Sequence, residues 1–183
     1  LRQQGHEILL VSSGAVALGI QVLGAQSLPR TIVYQQAAAA IGQSHLIWTY
    51  ERLFGAFHQK VAQILLTHED MRSRMRYLNA RNTLLTLLQY GVIPIINEND
   101  TVSVEEIRFG DNDTLSAMVC NLVDADILVI LTHLEGLYTA NPDLHPEATL
   151  IPVVEKIDAR VEALASSDTH QTGRGGMASK IRA

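Results

Sequence analysis

The chain has 183 residues, about one domain's worth, and 47% of them are apolar, enough for a sizeable core. A net charge of -5 and a pI near 5.8 argue against a nucleic-acid-binding face. Cys120 is the only cysteine, so no disulfide forms within the chain, as in a protein of a reducing compartment. No apolar run approaches the roughly 18 residues that a membrane helix needs. No secretory signal pattern is present, and the expected location is the cytoplasm. The chain opens on Leu1, and LRQQGHE reads as the end of a helix. It is therefore expected to be a piece cut from something longer at both ends.

Residues 7–11 read as a buried strand that ends in Ser12-Ser13-Gly14, with a helix following over 15–23. A longer Ala-rich helical region spans 31–57. Its interior Gly42 and Gly55 each weaken helix propensity by about 1 kcal/mol relative to Ala, so an unbroken rod is not expected. Residues 60–66 read as a second strand. A helix over 76–90 carries leucines at 78, 84, 85, 87 and 88 and stops at Gly91.

The richest stretch is 92–122. It opens on an apolar strand-like run, 92–96, and turns polar in Asn97-Glu98-Asn99-Asp100. A short hairpin arm over 104–109 leads to Gly110-Asp111-Asn112-Asp113. From Leu115 on, apolar residues at 115, 118, 119 and 122 mark one helix face. Residues 126–131 form a nearly continuous apolar run, expected to be another buried parallel strand. Turn formers fill 132–146, a short strand is expected over 150–154, and a helix over 158–165. Residues 166–172 read as loop, and the chain closes on the glycine-rich 173–180. Strands alternating with helices make the class α/β, with a mainly parallel sheet and helices on both faces.

Three strand ends carry polar or small residues: Ser12-Ser13-Gly14, Asn97 to Asp100, and Thr132-His133. In a parallel sheet such ends share one edge, where open α/β folds bind ligands. Ser12-Ser13-Gly14-Ala15 fits a helix N-terminus that holds an anion, but an ordinary serine N-cap is the commoner use of such residues. The Gly-x-Ser-x-Gly elbow of a nucleophilic serine is missing. Asp111-Asn112-Asp113 fails as a calcium loop: Leu115, Ser116 and Leu122 stand at the fifth, sixth and twelfth positions. Two acids and an amide in three residues exceed what a helix cap needs, and a polar ligand pocket is favoured.

The 173–180 run lacks the glycine before lysine of a Walker A loop. Gly173-x-Gly175-x-x-Ala178 matches the loose dinucleotide fingerprint, but no strand precedes it. A phosphate-approaching loop with Lys180 as point charge and a plain surface turn both remain open. Seven histidines are scattered without zinc spacing.

Taken together, the segments VSSGAVALG, YLNARNTL, VIPIINENDTVS, FGDNDTLSA, ILVILTHLEGLYTANP and GRGGMASK resemble the amino acid kinase family, in order and over the whole chain. NEND with FGDND resembles the members that act on free glutamate. Members acting on acetylglutamate, aspartate, carbamate or UMP share the sheet and glycine-rich loops but not this pair. The resemblance implies a three-layer α/β/α sandwich over residues 1–183, truncated at both ends. It also implies transfer of the ATP γ-phosphoryl group, with Mg2+, to the side-chain carboxylate of L-glutamate, the first step of proline synthesis.

Residue by residue, Ser13, Asp100 and Asn112 match glutamate-binding positions, and Asp113 the aspartate that orients the catalytic lysines. Thr132 and His133 match an ATP-binding pair. Arg174, Gly175, Gly176, Met177, Ala178, Ser179 and Lys180 match the loop on the nucleotide, with Lys180 at the phosphate. The chain departs from the pattern at His133, where aspartate is usual, and at Arg174, where threonine is common. The family's first strand and lysine-bearing loop are expected before Leu1, and a PUA domain is often appended after the kinase domain. The piece alone is therefore expected to have little kinase activity. Proline as feedback inhibitor and a homo-oligomer are further implications. The rival readings are a kinase of N-acetylglutamate or aspartate, and a non-catalytic sensor of proline or glutamate.

Overall fold

In the computed structural model, the structure describes residues 1–24, 31–103, 112–132, 135–142, 144–166 and 177–183. The expected hairpin arm at 104–109 and loop at 167–172 lie outside them, as do Asp111, His133, Arg174, Gly175 and Gly176. Three parallel strands form the sheet: β1 (Leu10–Val11), β2 (Val61–Leu66) and β3 (Ile93–Glu98), in the order β1-β3-β2. The helices are α1 (Ala15–Val22), α2 (Ile32–Gly55), α3 (His68–Arg72), α4 (Arg74–Gln89), α5 (Asn112–Val123), α6 (Ala159–Ser166) and α7 (Met177–Arg182).

The central strand β3 is buried at all six positions, as its apolar run requires. Pro94 sits in its middle, although proline lacks the N–H that a central strand donates. The register explains this. Ile93 donates its N–H to Lys60 on the β2 side, so position 94 faces the other way. On that side β1 pairs only with Ile95 and Ile96, and no donor is demanded of Pro94.

The main core joins β2, β3, α4 and α5 through Leu66, Leu84, Ile96, Leu115, Val119 and Leu122, each at most 5% exposed. The expected stripe on α5 is thus the buried one. Helix α4 ends as Gly91 signals. Gly91 takes φ 72°, its N–H bonds to Leu88, and that of Val92 bonds to Leu87, a Schellman closure. Ahead of α4, α3 opens on a capping box in which Thr67 and Asp70 bond each other's N–H groups.

Three expectations fail. First, α2 is one continuous helix of 24 residues. Gly42 does not break it because it serves packing: a Cβ there would stand 1.8 Å from the Ala15 carbonyl oxygen. Gly19 of α1 meets Ala38 just as closely, so the two helices cross backbone to backbone over glycine and alanine. Second, residues 126–131 form no strand. Ile127, Val129 and Leu131 are 78%, 71% and 89% exposed. Apolar composition favours a strand only where a ladder offers a partner, and no described strand pairs with this run. Third, of 150–154 only Leu150 pairs, in an isolated bridge to Tyr138.

A second, smaller core gathers Leu137, Ala165 and Met177, with Ile151, Val154, Val161, Leu164, Ala178 and Ile181 against them. It contains no strand ladder among the described residues. Its last helix, α7, packs on α5 of the sheet region. Met177 to Lys180, read from sequence as loop, is therefore helical, because its apolar side chains have this small core to enter.

Candidate active site

At the end of β1 the chain turns into α1 through Gly14, whose φ of 106° is left-handed and suits glycine. Gly14 itself is the N-cap, and no side chain caps the helix. The serine-cap reading is thus not what the structure holds. Ser12 Oγ bonds instead with Tyr50 of α2, at 2.8 Å, and donates to the Ser13 carbonyl at 3.3 Å. Ser13 beside it is exposed.

At the end of β3, Asn97 is 3% exposed. Its Oδ1 accepts from the Glu98 N–H at 2.8 Å and from Asn112 Nδ2 at 2.9 Å. Its Nδ2 donates to Gln43 Oε1 at 2.9 Å. The turn beyond is drawn back to the sheet, where the Asn99 N–H bonds to Leu66. Asn99 also accepts from Thr101 and, at its carbonyl, from the Val102 and Ser103 N–H groups. Asp100 lies within this turn, half-buried, three residues past Asn97.

The first two residues of α5 complete the arrangement. Asn112 Nδ2 donates to the Ser12 carbonyl at 2.5 Å as well as to Asn97. Asp113 Oδ2 accepts from Lys180 Nζ at 2.8 Å and from Ser179 Oγ at 3.2 Å. Lys180 and Asp113 are each 18% exposed. A partly buried pair of this kind fixes the lysine, and removing one partner leaves an uncompensated charge.

Two of the three expected strand ends therefore meet, tied by Asn112, and Lys180 joins them through Asp113. The third does not. Thr132 is exposed at the end of a run that forms no strand. Met177 and Ala178 turn their side chains into the small core. Sequence reasoning missed Gln43, Tyr50 and the side chain of Ser12. Gln43 and Tyr50 stand among other polar residues of α2, beside Ser44 and His45 and between Thr49 and Glu51, so nothing local marks them, and only the fold brings them to the strand ends. Among the described residues no helix is long and apolar enough to cross a membrane, and no cluster of three His, Cys, Asp or Glu is placed to hold a metal.

The site can gather an anion and a cation. Lys180 supplies positive charge at the N-terminal end of α5, and carboxamide and hydroxyl groups line the strand ends beside it. Such a set suits a zwitterionic small molecule next to a phosphate. The sequence model of the amino acid kinase family matches residues 1–183. The glutamate 5-kinase of Desulfotalea psychrophila is 57% identical over 184 residues, covering 100% of this chain and 49% of that protein. Those of Nitrosococcus oceani and Pelobacter propionicus are 56% and 54% identical over 183 residues, again covering 100% of this chain and 49% of each relative. The chain thus spans about half the length of the curated relatives it matches.

Proposed function

The chain belongs to the amino acid kinase family, and we propose that the protein phosphorylates the side-chain carboxylate of L-glutamate with ATP. The product is glutamyl 5-phosphate, the first intermediate of proline synthesis. The relatives' names support the substrate. The observation that carries the reading is the meeting of Lys180 and Asp113 beside Asn112 and the two strand ends.

The chemistry follows from charge. The nucleophile is a carboxylate of pKa about 4.3, ionised at neutral pH, so no general base is required. A carboxylate oxygen attacks the γ-phosphorus, the bond from that phosphorus to the β,γ-bridging oxygen breaks, and ADP leaves with the electron pair. The obstacle is an anion approaching a polyanion, and positive charge fixed on the transferred group removes most of it. Lys180 supplies such a charge. Asp113, which would itself repel phosphate, acts by holding Lys180. Mg2+, entering with the nucleotide, would supply further positive charge against the transferred group. Asp100 and Ser13 complete the glutamate subsite with Asn112. Thr132, His133 and the 174–180 segment serve the nucleotide. A cytoplasmic homo-oligomer under proline feedback completes the proposal.

The test is ADP release by the full-length protein with ATP, Mg2+ and a panel of acids. Glutamate is expected to give the highest kcat/KM. Preference for N-acetylglutamate or aspartate overturns the assignment within the family, and binding of glutamate or proline without turnover of any acid overturns catalysis.

A further inference from the structure

The hydrogen bonds behind Asn112 form a circuit that starts and ends on α2. Gln43 and Tyr50 lie seven residues apart, two turns along one face of that helix. Gln43 receives Asn97, Asn97 receives Asn112, Asn112 reaches the Ser12 backbone carbonyl, and the Ser12 hydroxyl, on the same residue, bonds Tyr50. The Tyr50 ring is itself stacked on Phe54, with centroids 6.3 Å apart.

Two backbone groups set the sense of the carboxamide bonds in the circuit. The Ser12 carbonyl can only accept, so the Asn112 atom on it is Nδ2. The Glu98 N–H can only donate, so the Asn97 atom on it is Oδ1. That Oδ1 also takes the second Asn112 hydrogen, and Asn97 Nδ2 is left for Gln43. Both hydrogens of Asn112 are thereby committed inward. What its carboxamide offers a ligand is Oδ1, an acceptor, which suits an ammonium group and not a carboxylate.

We infer that Gln43 and Tyr50 are positioning residues of the amino acid subsite: from α2 they lock the Asn112 carboxamide with its oxygen toward the α-ammonium group of the substrate. The inference rests on the proposed function and deepens it. It selects acids with a free α-amino group over N-acylated ones, which carry no charge there and a single N–H. Neither residue touches substrate. Each acts through a relay, Gln43 through Asn97 and Tyr50 through Ser12.

The test uses the full-length protein with Tyr50→Phe, Gln43→Met and Gln43→Glu. Tyr50→Phe keeps the ring stack and removes one hydroxyl. Gln43→Met removes the acceptor for Asn97, whereas Gln43→Glu keeps one. Tyr50→Phe and Gln43→Met are expected to raise the KM for glutamate about three- to tenfold, the range that loss of one neutral hydrogen bond gives. The KM for ATP is expected to stay near wild type in both, the melting temperature to fall modestly in Gln43→Met, which leaves the buried Asn97 Nδ2 without its acceptor, and Gln43→Glu to restore the glutamate KM to within about twofold of wild type. A glutamate KM unchanged in both deletion variants overturns the inference, and so does a rise shared equally by the ATP KM. A wild-type protein that turns over no acid overturns the functional reading and this inference with it. An active wild type with indifferent variants overturns this inference alone.

Discussion

The molecule has two cores of different make, and they meet at one aspartate. The sheet core is held by contacts distant in sequence: β3 pairs with β1 and β2, and α5 seals it with Leu115, Val119 and Leu122. The smaller core rests on Leu137, Ala165 and Met177, with, among the described residues, one bridge between Tyr138 and Leu150 in place of a ladder. The sheet region presents carboxamides, hydroxyls and Asp113, whereas the smaller region delivers Lys180 to it. In the proposed reading this divides a site for two ligands. The proposed amino acid subsite sits on strand ends. The cation proposed for phosphate rides on a short helix anchored in a separate apolar cluster.

The largest expected effect comes from emptying the smaller region's contribution. Lys180→Ala in the full-length protein is expected to lower kcat by about 10²- to 10³-fold in steady-state ADP release, the scale on which one group stabilising transition-state charge acts. On the sheet side, Asn112→Ala is expected to raise the KM for glutamate by about tenfold or more and to spare the KM for ATP, since it removes a ligand acceptor and the tie between two strand ends. The opposite split would reverse the assignment of the two regions.

Stability sharpens the comparison further. Gly42→Ala gains about 1 kcal/mol of helix propensity but drives a methyl into the Ala15 carbonyl. Overpacking of this sort costs about 1–3 kcal/mol and can exceed that where backbone must move, so a net loss is expected in chemical denaturation. Gly55→Ala, with nothing within 4 Å, is the control and is expected to be neutral or mildly stabilising. The smallest effect concerns pH. Burial raises the Asp70 pKa, but bonds from Thr67 and the charge of Arg76 outweigh it, and the net pKa is lowered. A carboxylate lowered on folding contributes stability above its unfolded pKa, near 3.9, and loses it as pH falls through the lower folded value. Asp70→Asn is expected to flatten the stability profile below about pH 4, measured by denaturant titration at several pH values.

The sheet region was the more legible in sequence. Its β2 and β3 strands are apolar runs and its α5 stripe is periodic, all locally bounded, and Gly91 announces the end of α4 through a left-handed conformation that glycine adopts freely. The asparagines and Asp113 stand out because so much polarity in few residues exceeds a helix cap. The failures have physical causes. Gly42 weakens a helix in isolation, but a second helix needs its missing side chain, and no propensity scale includes that neighbour. Residues 126–131 have the composition of a strand but lack a partner in the described sheet. Gln43 and Tyr50 look like ordinary helix residues because their partners are 54 and 38 positions away.

The meeting of the two cores at Asp113 is tested most directly by a double-mutant cycle on kcat with Asp113→Asn, Lys180→Ala and the pair together. If Asp113 acts by holding Lys180, the double variant is expected to be no slower than Lys180→Ala alone, within about threefold, because the aspartate has nothing left to position. Losses that multiply in full would show that the two residues act independently, and would contradict the account.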